Sequence, residues 1–117
     1  MTHRIFVPLA LAIFAASTTA YAAGDADAGK TKAAACAACH GPDGNAGIDP
    51  QYPRLAGQYR DYIAKALHEY KSGDRKNPIM AGFAGTLSDA DIEDLAEYFS
   101  SLPQGKLTDL HGKVGGD

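Results

Sequence analysis

Cys36-Ala37-Ala38-Cys39-His40 is the feature that most limits how this chain can fold. These are the only two cysteines among 117 residues. Three apart, they close too short a loop to act as a structural staple, and they do not form the dispersed framework of a disulfide scaffold. At about 100° per residue, positions 36, 39 and 40 fall on one side of a helical turn, so both thiols and the imidazole can face a single ligand. The motif is a local chemical device, and the rest of the chain has to be built around what it holds.

Three chemistries use a closely spaced cysteine pair. A thioredoxin-like redox pair would open a helix after a strand, and the chain has no strand-like alternation of four or more residues. A structural zinc site would need four ligands at paired spacings, whereas one pair is present with His40 adjacent to it. Haem c uses all three groups: the thiols add to the two vinyl groups of one haem, and His40 gives an imidazole nitrogen to the iron. One such motif implies one covalent haem per chain.

The ends and the charge balance narrow the setting. His3 and Arg4 precede an apolar run, Ile5 to Ala16, followed by small residues and an Ala20-Tyr21-Ala22 cleavage pattern. Residues 1–22 therefore read as an export signal that is removed, the run being shorter than the roughly 20 residues that span a bilayer. No membrane span is expected in the mature form, and the expected location is the periplasm. Lys and Arg number 11 against 14 Asp and Glu, a net charge of −3, which gives no basis for a nucleic-acid partner. Residues 23–103 form the expected domain, and the polar, glycine-rich stretch 104–117 reads as a flexible tail.

Within the domain the reading is all-α, with about three main helices and long loops. Asp25 or Asp27 can cap a first helix through Lys30 to Ala38, broken by Gly41-Pro42-Asp43-Gly44. Gly41 to Gly57 is rich in turn formers and reads as a long functional loop. Tyr59, Tyr62, Ile63, Ala66, Leu67 and Tyr70 then fall at helical spacing along one face, and Gly73 ends that helix. Asp74 to Leu87, with Pro78, Gly82 and Gly85, cannot be one continuous helix. The last helix starts at Ser88, with Asp91 as its capping-box partner and Leu87 placed to staple onto Ile92. Its apolar face is Ile92, Leu95, Ala96, Phe99 and Leu102, and Pro103 stops it.

The second axial ligand can be narrowed by elimination. Met1 leaves with the signal. His68 lies about 170° from the centre of the apolar stripe and faces water, and His111 sits in the tail. Met80 remains, in a Pro/Gly-rich stretch between Ile79 and Phe83 rather than on the periodic face where gap-filling methionines sit. A thioether opposite an imidazole fills both axial positions and favours reduced iron.

Taken in order, Cys36-Ala37-Ala38-Cys39-His40, Tyr52-Pro53-Arg54-Leu55-Ala56-Gly57-Gln58, Asn77-Pro78-Ile79-Met80 and Leu95-Ala96-Glu97-Tyr98-Phe99 resemble the class I c-type cytochromes, in particular the small periplasmic bacterial ones. The resemblance runs from about Gly24 to Leu102. It implies a small cytochrome c fold wrapped around one haem, with the first and last helices crossing near Gly29 and Tyr98. It also implies that the Pro53 carbonyl accepts from His40, and that Tyr52, Arg54 and Gln58 bond the haem propionates. The chain departs from two-haem tandem members in having a single haem motif.

The function expected on these grounds is a periplasmic one-electron carrier rather than an enzyme. Its partners would be redox proteins, such as a membrane cytochrome complex, a terminal oxidase or a periplasmic reductase. The alternative is a fixed electron-entry haem subunit of a dehydrogenase or oxidase complex. Lys71, Arg75 and Lys76 precede the Met80 segment and form a candidate docking cluster for an acidic partner.

Overall fold

The computed structural model describes residues 23–45, 47 and 49–103. The signal segment expected at 1–22 and the tail expected at 104–117, His111 included, lie outside the described residues. Five helices occur among those described and no strand: α1 Ala26–Lys32, α2 Ala34–His40, α3 Arg60–Ser72, α4 Pro78–Ala84 and α5 Asp89–Ser101. None is long and apolar enough to cross a membrane.

Local chemistry accounts for most of the helix ends. Asp25 caps α1, its side chain accepting from Asp27 N and Ala28 N, which satisfies two of the free donors of the first turn. Ser88 and Asp91 form the reciprocal capping box of α5, and Gly73 closes α3 in the left-handed region at φ 85°. Two expectations need correction. The first helix is interrupted at Ala33, where Cys36 N bonds to Ala33 O at 2.9 Å and tightens the turn towards 3₁₀ geometry. The stretch 74–87 is not one continuous helix, as expected, but the irregular segment read there holds the seven-residue α4. Pro78 opens that helix instead of breaking it, because the first helical position has no hydrogen bond to lose and suits the fixed φ of proline.

The core forms where α1, α3 and α5 meet. Ala33, Ile63, Ala64, Ile92, Leu95, Ala96 and Phe99 make up its buried cluster, with Leu67, Leu87 and Leu102 packed against it. The stripe expected on α3 is shifted. Ile63 and Ala64 are buried, while Tyr59 is 78% exposed and Tyr62 49%. A period of 3.6 locates an apolar stripe but not which edge of it meets the partner helix. His68 faces outward as expected, 44% exposed and 3.9 Å from Asp89.

Crossing of α1 over α5 depends on Gly29. A Cβ at this position would stand 2.0 Å from Asp94 O and 2.8 Å from Tyr98 Cβ. Beside the crossing, Lys32 Nζ reaches Asp91 at 3.3 Å and Asp94 at 2.9 Å. The backbone N–H of Asp25 donates to Asp94 at 2.7 Å, and this bond, with Lys32, holds the Asp94 carboxyl below its ordinary range. Arg60 ties the first turn of α3 to Glu93 and Glu97 of α5. Gly29→Ala is expected to cost about 3 kcal/mol, since a backbone carbonyl cannot move aside without separating the helices. Denaturant titration of the haem-loaded protein measures it, and an unchanged midpoint would show that the crossing tolerates a side chain.

Candidate functional site

The last turn of α2 delivers the motif. Cys36 packs against the core cluster and Cys39 is half-buried, both as free thiols. Burial, and secondarily the neighbouring Cys39, pushes the Cys36 thiol above its ordinary pKa. His40 ends the helix and is 5% exposed, the one buried polar or charged side chain found among the described residues.

A buried imidazole needs a partner, and His40 Nδ1 lies 2.8 Å from the Pro53 carbonyl oxygen. A carbonyl can only accept, so Nδ1 carries the proton and the lone pair sits on Nε2, the nitrogen then available to a metal. The Tyr52 ring stands edge-on to the imidazole, with centroids 6.1 Å apart and planes at 80°. The loop bearing these residues is fastened from behind. Leu55 N and Ala56 N both donate to Gly44 O, and Gly57 N donates to Phe99 O of α5 at 2.8 Å. Gly44, at φ 69°, lies close enough to the Phe99 ring that a Cβ would meet it at 3.1 Å.

The remaining expected residues divide. Arg54 Nε donates to Asn45 O at 2.8 Å, and Gln58 Oε1 accepts from Tyr59 N at 2.9 Å. These contacts hold the loop, and neither brings its side chain to His40. Met80 lies in α4, near His40, and its backbone N–H donates to the Asn77 side chain at 3.1 Å. Among the helices α4 packs on α3 alone, leaving Ile79 57% and Phe83 46% exposed. The capping role of Asn77 was missed in the sequence, although an Asn immediately before Pro is a helix-start signal.

The expected docking cluster is not a bare positive patch. Lys71 Nζ pairs with Asp89 at 3.2 Å, Lys76 Nζ donates to Gly73 O, and Arg75 lies over the rings of Tyr62 and Tyr70.

The site's donors suit haem c: two adjacent thiols for the vinyl groups, one imidazole with its coordinating nitrogen exposed by the bond at the other, and apolar side chains on α4 for a flat apolar ring. The cytochrome c family profile matches residues 26–103. The chain belongs to the cytochrome c family. Cytochrome c4 of Pseudomonas aeruginosa is 51% identical over 82 residues, covering 70% of this chain and 40% of that protein. Cytochrome c-554(548) of Halomonas halodenitrificans is 46% identical over 82 residues, covering 68% of this chain and 98% of the relative. The crystal structure of reduced recombinant cytochrome c4 from Pseudomonas stutzeri superposes with a TM-score of 0.64 at 47% identity, covering 69% of this chain and 47% of that one. The chain thus spans about half or less of the length of the cytochrome c4 relatives. It holds a class I cytochrome c domain similar to those of cytochrome c4, an electron-transfer domain whose haem c is attached covalently through Cys36 and Cys39 with His40 beside them.

Proposed function

We propose that this cytochrome is a periplasmic one-electron carrier in which His40 and Met80 ligate the haem iron from opposite sides. When bound, the haem supplies a ferric/ferrous couple, and the chain's residues hold it in one geometry. The observation that carries the reading is His40: buried, with Nδ1 bonded to the Pro53 carbonyl, which leaves the lone pair on Nε2. Pro53 fixes the tautomer and makes the imidazole a stronger donor, and Tyr52 limits rotation of the ring. Met80, on a helix whose start is fixed by Asn77, would supply the thioether ligand to the haem iron. With both positions filled by protein, electron transfer needs little rearrangement, and small ligands find no open site.

Export of residues 1–22 as a signal would place the domain 23–103 in the periplasm, among redox partners such as a membrane cytochrome complex, a terminal oxidase or a periplasmic reductase. Arg54 and Gln58 remain candidates for the propionates, held near the loop by the contacts above.

Visible spectra of both redox states, a haem stain after denaturation, and exposure of the reduced protein to carbon monoxide test the proposal together. The expected result is covalent haem, six-coordinate in both states, with little carbon monoxide binding over minutes. Rapid binding to the wild-type ferrous protein would point to an open iron and to a sensor or enzyme instead.

A further inference from the structure

We propose that Arg75 is a positioning residue that latches the Met80 side of the site. By lying across Tyr62 and Tyr70 it holds the turn between α3 and α4 against α3, and so keeps Met80 within reach of the iron. The latch rests on the reading of Met80 as an axial ligand.

Several separate contacts converge on this turn. The Arg75 guanidinium carbon lies 5.1 Å from the Tyr70 ring centroid and 5.9 Å from that of Tyr62, both within the range of cation–aromatic attraction. Its two terminal nitrogens each stand 3.4 Å from the Tyr62 hydroxyl. The backbone N–H groups of Gly73 and Arg75 both donate to Glu69 O, at 3.0 and 3.1 Å. The chain therefore leaves α3 already folded back on it. Four residues separate Arg75 from Met80, and slack within them is small. Pro78 has a fixed φ, and the Asn77 side chain binds Ile79 N and Met80 N.

The helix that carries Met80 has little hold of its own. It is seven residues long with Ala84 as its buried residue, and it packs on no helix but α3. Segments with few buried contacts open locally long before the fold does. How often Met80 leaves is then set by what clamps the entry to α4; Lys76, Asn77 and the Ser72–Asp74 pair brace the turn within itself, and Arg75 ties it to the rings of α3. Tyr62 and Tyr70, half out of the core, have a role here that the packing of α3 does not give them.

The test uses the ferric haem-loaded protein as wild type, Arg75→Ala, Arg75→Lys, Tyr70→Leu and Met80→Ala. Two quantities are followed: the association rate of cyanide, which must displace the methionine, and the methionine–iron charge-transfer band on heating, compared with helix melting by circular dichroism. Arg75→Ala is expected to bind cyanide about tenfold faster, the size expected from losing two cation–aromatic contacts. It should also lose the band well below the temperature at which the helices melt. Arg75→Lys, which keeps a cation over the rings, and Tyr70→Leu, which removes one ring, should shift both readouts in the same direction by less. A wild-type cyanide rate in Arg75→Ala overturns the latch. So does a parallel fall of band and helix melting, because Arg75 would then only stabilise the fold. If Met80→Ala keeps the band, the ligation reading fails and the latch with it. A band lost in Met80→Ala but unmoved in Arg75→Ala overturns the latch alone.

Discussion

A chain carrying Cys36→Ala and Cys39→Ala together is expected to retain no haem after denaturation and to be largely unfolded without it. The thiols are the covalent tether, but the larger effect follows from the size of the core. Of the buried apolar residues, Ala33, Ala56, Ala64, Ala84 and Ala96 contribute only a methyl group each, and the large buried side chains among the described residues are four, Ile63, Ile92, Leu95 and Phe99. A domain of this length with so little apolar volume falls short of the burial that offsets chain entropy, and small folds of this kind rely on a cofactor or a staple. The haem is therefore expected to act as the largest apolar element of the core. Haem staining of a denaturing gel tests the tether and far-ultraviolet circular dichroism tests the fold. A compact, helical, haem-free double variant would show that α1, α3 and α5 suffice by themselves.

Met80→Ala is expected to lower the reduction potential by on the order of 100 mV or more, since axial ligands move haem potentials across about 0.8 V. The thioether favours ferrous iron, and alanine leaves a position for water or an added ligand. Carbon monoxide, expected to bind the wild-type protein little, should bind the reduced variant readily. The structure makes the experiment clean. The start of α4 is fixed by the Asn77 side chain and the Met80 backbone N–H, and its buried residue is Ala84, so the helix does not depend on the Met80 side chain. Met80→His should also lower the potential while keeping the iron six-coordinate, which separates loss of sulfur from opening of the site. A wild-type potential in Met80→Ala would mean that the sixth ligand comes from elsewhere, with His111 the next residue to replace.

What could be read from the sequence was what short spacings encode. The thiol–thiol–imidazole cluster spans five residues, the Ser88–Asp91 capping box four, and the Asp25 cap acts on the next turn, so each can be seen without knowing the rest of the fold. The α5 stripe was equally legible: Ile92, Leu95, Ala96 and Phe99 are all buried, in a helix that packs on both α1 and α3. The errors lie where a local signal has two structural meanings. Pro78 both breaks and begins helices, and the Asn77 cap decides in favour of beginning. Tyr59 and Tyr62 sit on the α3 stripe by period, yet the helix is rotated so that Ile63 and Ala64 face α5. Lys71 and Arg75 look like a basic patch until Asp89 and the two tyrosine rings are brought to them, from 18 and up to 13 residues away in the chain.

The bond from Gly57 N to Phe99 O is expected to give the two sides of the site unequal lifetimes. Through it, and through Gly44 against the Phe99 ring, the loop carrying Pro53 is riveted to α5, the helix around which the core is assembled. The histidine side is then expected to come apart only with the whole molecule, whereas the methionine side, packed on α3 alone among the helices, is expected to open while the core is intact. Heat, denaturant or a docking partner would accordingly meet a molecule that yields in a fixed order. On the proposed ligation, its first casualty would be the ligand that sets the potential, and its last the one that keeps the iron in place.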